Sequence, residues 1–305
     1  MKPRMFWVRL CLFLLLASLV FAAVSCGGGE ELSFATLSDS EARLAVDGER
    51  VSLLCYLVTN SPTDGELLYV TSRPYERLSL SSDKSCVVPV YLRRAGSVRM
   101  TTQIVRVSGR LELSGGEPFV TEVGYAFSVR LTDATVEAVD GGDLPASVAP
   151  WQDVAASGFV NNMMDALNYV HFTCAWNTYS GKNDDGTQFY LEPAHAESFI
   201  KDAGKQYYYG YSDGYFDRLR ATARSFSSDK CDELVALLDG LQALAARGLA
   251  SLDGGNYSQE SVGAEDILDG FVGYKYTVND AQELIEDYEE LYGDFTAWLG
   301  LWELP

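Results

Sequence analysis

Apolar and polar positions alternate with a period of two between residues 45 and 140. In the segment Gln103–Leu113 the valines and leucines share one face, and in Tyr125–Ala138 the inward face holds Tyr125, Phe127, Val129 and Leu131. This alternation predicts half-buried β-strands, and five such segments predict a small barrel or sandwich. The other three predicted strands are Arg50–Thr59, Glu66–Ser72 and Val87–Leu92.

After residue 150 the apolar positions recur every three or four residues, as on one face of an α-helix. We predict four helices, and Asn279 with Gln282 forms a capping-box pattern before the last of them. Four amphipathic helices in succession predict an antiparallel bundle. The predicted helices run from about Trp151 to Trp176, from Pro193 to about Phe226, from about Asp229 to the glycines at 254–255, and onward from Asn279.

The first 25 residues have the layout of an export signal, with Lys2, Arg4 and Arg9 ahead of the apolar segment Leu10–Val20. The following Ala23-Val24-Ser25-Cys26 resembles the bacterial lipobox. That resemblance implies that Cys26 becomes the N-terminus and carries two or three acyl chains such as palmitate, which are needed for stable anchoring. Two alternatives are an ordinary signal cleaved after Ser25 and an uncleaved anchor from about Phe6 to Ser25.

Charge divides the chain in two. Residues 41–140 hold 11 basic and 13 acidic residues, a net of −2, whereas residues 141–305 hold 9 basic and 27 acidic residues, a net of −18. Strong negative charge opposes binding to nucleic acid or to an anionic membrane face. The predicted organisation is a signal peptide (1–25), a flexible tether (26–40), a β domain (41–140), a linker (141–150) and an acidic helical bundle domain (151–305).

Three phrases of the β domain, "DGERVSLLCYLVT", "VRVSGRLEL" and "GYAFSVRLTDATVEAV", resemble OB-like domains of uncharacterised bacterial envelope lipoproteins. The resemblance implies that this domain is a small OB-like β-barrel. Together with the antiparallel helical bundle predicted from the apolar periodicity, the expected fold class is an α+β multidomain protein. Six arginines of this domain form a solvated outer face, or dock the acidic domain, or bind phosphate, the last being disfavoured because aromatic residues are not interleaved with them. They are Arg93, Arg94, Arg99, Arg106, Arg110 and Arg130.

Four cysteines remain beyond Cys11 and Cys26, two in each proposed domain. An even number in an oxidising compartment favours disulfides, and we predict the pairs Cys55–Cys86 and Cys174–Cys231. The alternative is that all four are buried thiols.

We expect the protein to have no cofactor, but the sequence offers two candidate metal sites, one for calcium and one for zinc. The segment "GKNDDGTQFYLE" resembles an EF-hand calcium loop with Asn183, Asp185 and Glu192 as ligands, but Gly181 occupies the first ligand position, and a solvated turn is the alternative. Zinc would require His171 and Cys174 together with His195 and Cys231, without the close paired spacing of known zinc modules.

The tyrosine-rich run "YYYGYSDGYF" supplies candidate ligand-groove residues, with a partly wet core as the alternative. The candidates are Tyr207, Tyr208, Tyr211 and Tyr215.

Because no catalytic motif is present, we expect a non-enzymatic protein. The expected function is that of a lipid-anchored extracytoplasmic binding or accessory protein of the bacterial cell envelope. It would be held by its N-terminal lipid at the outer face of the cytoplasmic membrane, in the periplasm or at the cell surface. It would recognise a protein partner, such as a transporter component, or a small ligand through the acidic helical domain. The alternatives are a metal-cation-binding lipoprotein and a carboxylate-based envelope hydrolase.

Overall fold

The computed structural model describes residues 30–62, 65–79, 86–174, 177–182, 214–262 and 272–305. The chain separates into two compact units. The first, which we call the barrel unit, extends to Asp140 and includes Glu303–Pro305. The second, the helical unit, comprises Gly141–Trp302.

The described strands of the barrel unit are β1 (Glu30–Leu32), β2 (Arg50–Leu57), β3 (Leu67–Thr71), β4 (Val87–Leu92), β5 (Val105–Leu113), β6 (Phe119–Val120), β7 (Ala126–Phe127) and β8 (Val129–Ala138). Five of them close into a barrel in the order β2-β3-β4-β8-β5, with β5 paired back to β2. Neighbouring strands of the barrel are antiparallel except β4 and β8, which are parallel. These are the five predicted strands, and the prediction of a small barrel is confirmed.

The alternation in β5 places Val107 and Leu111 in a fully buried core. The pairing of β5 with β8 shifts register between Ser108 and Arg110. At this irregularity a Cβ on Gly109 would lie 2.9 Å from the carbonyl oxygen of Thr132, so the close approach of the two strands requires glycine.

Residues 30–44 do not form the tether that was predicted for residues 26–40. Strand β1 pairs in parallel with β2, and two short helices follow, α1 (Phe34–Ser38) and α2 (Ser40–Leu44). Leu32, Phe34 and Leu37 are buried in the barrel core, and burial of these apolar side chains explains why the segment folds. Residues 26–29, including Cys26, lie outside the described residues.

Tyr125 and Phe127 were predicted to face the barrel interior together with Val129, and this is wrong. Strands β6 and β7 form a separate two-stranded hairpin, and the chain bends at Ser128 before β8 begins. Phe127 consequently packs in a second apolar cluster that is distinct from the barrel core. Tyr125 is partly buried against this second cluster.

The last three residues of the chain were predicted to belong to the helical domain, but they pack in the barrel unit. The backbone N–H of Leu304 donates to the carbonyl of Ser72 at 2.9 Å, and that of Phe34 donates to the carbonyl of Pro305 at 3.0 Å. The carboxylate of Glu303 accepts from the Ser72 hydroxyl at 2.8 Å. The Leu304 side chain is 4% exposed, so the segment contributes to the apolar interior.

The helical unit is organised around one long helix, α6 (Glu233–Asp253). It packs against α4 (Phe159–Cys174), α5 (Tyr215–Ser225) and α7 (Ala281–Gly300). The predicted first helix is interrupted at Gly158, whose φ of 68° is left-handed, and the last helix begins after Asp280 rather than Asn279. Of the predicted helix 193–226, only the part from residue 214 onward lies within the described residues. The helices are α3 (Trp151–Ala156), α4 (Phe159–Cys174), α5 (Tyr215–Ser225), α6 (Glu233–Asp253) and α7 (Ala281–Gly300).

The helical unit also contains an antiparallel three-stranded sheet that was not predicted, with the order β10-β11-β9. Gly181, the first position of the proposed EF-hand loop, lies in β9 and pairs with Gly273 of β11. The three strands are β9 (Asn177–Lys182), β10 (Tyr257–Val262) and β11 (Val272–Val278).

One described helix, Asp229–Ser251, is long and apolar enough to cross a membrane by length and composition, with a mean hydropathy of 1.3. The core helix of a soluble protein passes the same test. This segment includes most of α6, whose leucines at 234, 238 and 241 are buried among the neighbouring helices. In the most apolar 18-residue window of this segment, 44% is buried within the structure.

Candidate functional site

A groove of about 630 Å³ crosses the outside of the barrel beside the hairpin formed by β6 and β7. Its walls come from β3 and β4, from the turn of the hairpin, and from four described residues of the β2–β3 connection, Asn60, Pro62, Gly65 and Glu66. Three aromatic side chains line it, those of Tyr69, Tyr91 and Tyr125, and we call it the tyrosine groove. Its size is that of a typical small-molecule pocket.

Tyr69 forms the floor of the groove. Its neighbours Leu68 and Val70 are fully buried in the barrel core, so the alternation of β3 directs Tyr69 to the outside. The ring is 4% exposed and meets the ring of Tyr125 edge-on at 5.8 Å. Burial raises the pKa of the Tyr69 hydroxyl, while its hydrogen bond with Thr121 opposes that rise. The floor is therefore apolar and remains uncharged at neutral pH.

The hairpin turn forms an exposed apolar lip beside this floor. Thr121 is buried and closes the turn, because its backbone N–H donates to the carbonyl of Tyr125 at 2.8 Å and its hydroxyl accepts from the backbone N–H of Tyr125 at 3.2 Å. Val120 and Val123 project from the turn with exposures of 64% and 62%. A ligand that covered these side chains would remove apolar surface from water.

Asn60 fixes the opposite wall. Its side-chain amide donates to the carbonyl of Leu78 at 2.8 Å and accepts from the backbone N–H of Leu78 at 2.9 Å. A neighbouring backbone bond of 2.9 Å joins Thr59 to Glu76. Two connections of the barrel are thereby held together, and this wall of the groove is preformed.

Arg130 lies against two aromatic rings next to the groove. Its guanidinium carbon is 4.1 Å from the centre of the Phe119 ring and 5.5 Å from the centre of the Tyr91 ring, within range of cation–π attraction. Its Nε donates to the Glu112 carboxylate at 2.7 Å. Burial raises the pKa of Glu112, but hydrogen bonds from Thr132 and Arg130 outweigh this effect and leave the pKa below its usual value.

Aromatic residues are not interleaved with the arginines in the sequence, but the fold brings two of them to Arg130. Tyr91 is on β4, which pairs with the β8 strand of Arg130, and Phe119 is on the separate hairpin of β6 and β7. Other arginines pair with carboxylates of the same unit: Arg93 donates to Asp133 at 2.6 and 2.8 Å, and Arg106 lies 3.5 Å from Glu31. The Arg93 hydrogen bond is the main cause that lowers the pKa of Asp133 to about 2.

The lining of the tyrosine groove is acidic. Among its described residues it holds Glu66 and Glu122, both exposed, and no lysine or arginine. These carboxylates can accept hydrogen bonds from hydroxyl groups or attract a cation, and they repel phosphate and other anions.

Neither predicted disulfide is present, because Cys55, Cys86 and Cys231 are thiols in the structure. Cys55 is in the barrel core, where its Sγ donates to the carbonyl of Val105 at 3.7 Å, whereas Cys86 packs in the second apolar cluster. Cys231 is buried in the short turn that precedes α6. This burial is the main cause that raises the pKa of its thiol to about 11. The side chain of Cys174 lies outside the described residues.

The predicted metal ligands are only partly described. Asn183, Asp185, Glu192 and His195 lie outside the described residues, and His171 is exposed with its ring 4.9 Å from that of Tyr288. Within the described part of the chain, no three His, Cys, Asp or Glu side chains form a group that could hold a metal ion.

The tyrosine-rich run is represented in the structure by its end alone. Tyr207, Tyr208 and Tyr211 lie outside the described residues. The hydroxyl of Tyr215 donates to the carbonyl of Asn162 at 2.9 Å, which joins α5 to α4. This hydrogen bond is a contact between two helices of the same unit.

Comparison with models of known protein families and with curated protein sequences returned no match for this chain. Function is accordingly inferred from the geometry of the described residues.

Proposed function

We propose that the chain is a lipid-anchored, non-enzymatic binding protein of the bacterial cell envelope that holds a small ligand in the tyrosine groove. The observation that carries this proposal is the groove itself. It combines a preformed wall, a floor of tyrosine rings and an exposed apolar lip, with carboxylates at its margin. Apolar surface with a few fixed polar groups is the usual composition of a small-molecule site.

The position of the groove supports an OB-like interpretation of the barrel. The closed order β2-β3-β4-β8-β5, with only β4 and β8 parallel, is the strand order of an OB barrel. Such barrels bind ligands on the face of their second and third strands, between two flanking loops. Here those strands are β3 and β4. The corresponding connections contribute to the groove Asn60, Pro62, Gly65 and Glu66 on one side and residues 120–123 and Tyr125 on the other. The fold alone does not define the ligand.

The chemistry of the lining favours a short, uncharged saccharide. Tyrosine rings offer flat apolar faces with a hydroxyl at the edge, and Glu66 and Glu122 accept hydrogen bonds from sugar hydroxyls. Anionic polymers are disfavoured by these carboxylates and by the net charge of −20 for the whole chain. This proposal places small-ligand recognition on the barrel instead of the tyrosine-rich run of the helical unit.

Titration of the purified full chain with a panel of neutral oligosaccharides, followed by calorimetry, tests the groove. We expect saturable binding that weakens at least tenfold in Val123→Asp and in Tyr125→Ala. Leu44→Asp is the matched control for Val123→Asp, because Leu44 is 65% exposed in the same unit and does not line the groove. Absence of binding across the panel, or equal weakening in the control, contradicts the proposal.

Metabolic labelling with palmitate tests the anchor independently. The label should be incorporated into the wild-type chain and should be lost in Cys26→Ala. Incorporation that persists in Cys26→Ala, or that does not occur at all, overturns the lipoprotein part of the proposal without affecting the groove.

A further inference from the structure

A second groove lies in the helical unit, between the first turns of α6 and the last turns of α7. Its volume is about 410 Å³. The floor is apolar and consists of Leu234, Leu237 and Trp298, all of which are buried. We call it the helix groove. It shares no residue with the tyrosine groove.

Residue size explains why the rims of the groove are low. Farther along α6, Gly240 lets α7 approach so closely that a Cβ at this position would lie 2.8 Å from Cδ2 of Leu291. Toward the start of α6 the rims of the groove carry small, exposed residues, Ala236 on one side and Ala297 on the other. Low rims allow the backbone of a bound segment to come close to the floor.

The rims are negatively charged. Glu233 of α6 and Asp294 of α7 are exposed on the two sides of the groove. The whole of α7 carries six carboxylates and no lysine or arginine. The carboxylates of α7 are those of Glu283, Glu286, Asp287, Glu289, Glu290 and Asp294.

Two basic residues lie near the groove, Lys230 at its margin and Arg247 farther along α6. The ammonium of Lys230 donates to the carbonyls of Ser147 and Leu301, each at 2.7 Å, and lies 4.7 Å from the centre of the Trp302 ring. Arg247 is the single basic residue of α6 and lies after Gly240, away from the groove lining. It pairs with two carboxylates of α7, Glu283 at 2.8 Å and Asp287. Because Leu301 also lines the groove, the Lys230 ammonium offsets part of the negative charge of Glu233 and Asp294, while the six carboxylates of α7 keep this surface negative as a whole.

We propose that the helix groove binds an amphipathic helix of a partner protein, with a large apolar side chain on the floor and lysine or arginine beside Glu233 and Asp294. Grooves between helices commonly accept the apolar face of a partner helix, and complementary charge fixes which partner binds. A second copy of this acidic chain would bring like charges together, which opposes self-association at this surface.

Fluorescence anisotropy with the full chain tests the proposal, using a labelled synthetic helix of leucine and lysine as the probe. We expect saturable binding that weakens at least tenfold in Asp294→Lys. Glu289→Lys makes the same charge change on the exposed surface of α7 outside the groove lining and should weaken binding by no more than about threefold, the effect of an exposed charge pair. Ala297→Gln leaves the charge unchanged but narrows the groove, and it should also weaken binding.

A peptide in which glutamine replaces every leucine should not bind, because it has nothing to place on the apolar floor. The absence of saturable binding, or equal losses in Asp294→Lys and Glu289→Lys, overturns the proposal, since the latter result indicates charge attraction without a site. Concentration-dependent dimerisation that is abolished by Ala297→Gln also overturns it. Circular dichroism confirms that each variant is folded.

Discussion

The barrel unit and the helical unit bury apolar side chains in different ways, and their candidate binding surfaces differ for the same reason. A closed barrel uses its interior entirely for packing, so its groove is built outside, from a hairpin and loops laid on β3 and β4. The helical unit instead leaves a groove between two neighbouring helices, with buried core residues as its floor. The barrel surface depends on turn geometry, whereas the helical surface depends on the size of residues along two helices.

The largest expected effect concerns the end of the chain. Leu304 is buried in the barrel unit, whereas Leu301 is 41% exposed in the helical unit. Leu304→Ala should lower the free energy of unfolding by about 2–5 kcal/mol, the usual cost of such a truncation in a core. Leu301→Ala should change it by about 0.5 kcal/mol or less. Denaturant unfolding of both variants makes the comparison, and equal effects would contradict the assignment of residues 303–305 to the barrel unit.

Replacing a glycine by alanine should have different effects on stability in the barrel sheet, at Gly109, and in helix α6, at Gly240. In Gly109→Ala the new methyl meets the Thr132 carbonyl at 2.9 Å, so backbone must move, and we expect a loss of about 1–3 kcal/mol in the free energy of unfolding. In Gly240→Ala it meets only the end of the Leu291 side chain, which can rotate, and alanine favours the helix by about 1 kcal/mol. Thermal melts should show a clear loss in the first variant alone. A larger loss in Gly240→Ala would refute this account.

A smaller effect is expected from acid titration of the barrel unit. The pKa of Asp133 is lowered from 3.8 to about 2, chiefly by the hydrogen bond from Arg93 and also by Arg50. A lowered pKa in the folded state stabilises above the unfolded value, and this stabilisation is lost as the pH falls from about 4 to 2. Asp133 has a φ of 50°, which asparagine also tolerates, so Asp133→Asn changes the charge without changing the backbone.

The variant should therefore lack this part of the pH dependence, measured as the free energy of unfolding between pH 5 and pH 2. A slope identical to that of the wild type over this range would show that Asp133 is not the responsible group.

The smallest expected signal is chemical. Burial raises the pKa of Cys55 far above its usual value and that of Cys231 to about 11, so both thiols should alkylate slowly at pH 8 in the folded chain and rapidly after denaturation. Reduction should leave the mass of the purified protein unchanged, since neither predicted disulfide is formed. A mass increase on reduction would restore the disulfide prediction.

The sequence predicted the elements whose signal is local. The alternation in Gln103–Leu113 identified β5, and the leucine spacing after Asp229 identified α6, because a single face is buried in each. The prediction did not detect β11, although its "VGYKYTV" also alternates, with tyrosines two residues apart. The prediction also assigned Leu32 and Phe34 to a flexible tether, although both are buried in the barrel core. The segment around them is too short to show a helical or strand periodicity.

The candidate sites depend on contacts that a sequence pattern does not contain. The contact of Arg130 with Tyr91 requires the pairing of β4 with β8, and its contact with Phe119 requires the hairpin of β6 and β7. The bend at Ser128 places Tyr125 in the groove instead of the core. Likewise, Asp294 and Glu233 form one groove only because α6 and α7 pack side by side. Sequence reasoning placed recognition on the tyrosine-rich run, where the residue types were suggestive but their partners were unknown.

Hydrogen–deuterium exchange of the full chain, with and without a saturating neutral oligosaccharide, tests the central claim most directly. We predict that protection increases in the β2–β3 connection at residues 58–66 and in the hairpin at residues 119–127, and that exchange in α4 to α7 is unchanged. Protection confined to the helical unit, or no change in the hairpin, would contradict the assignment of small-ligand binding to the tyrosine groove.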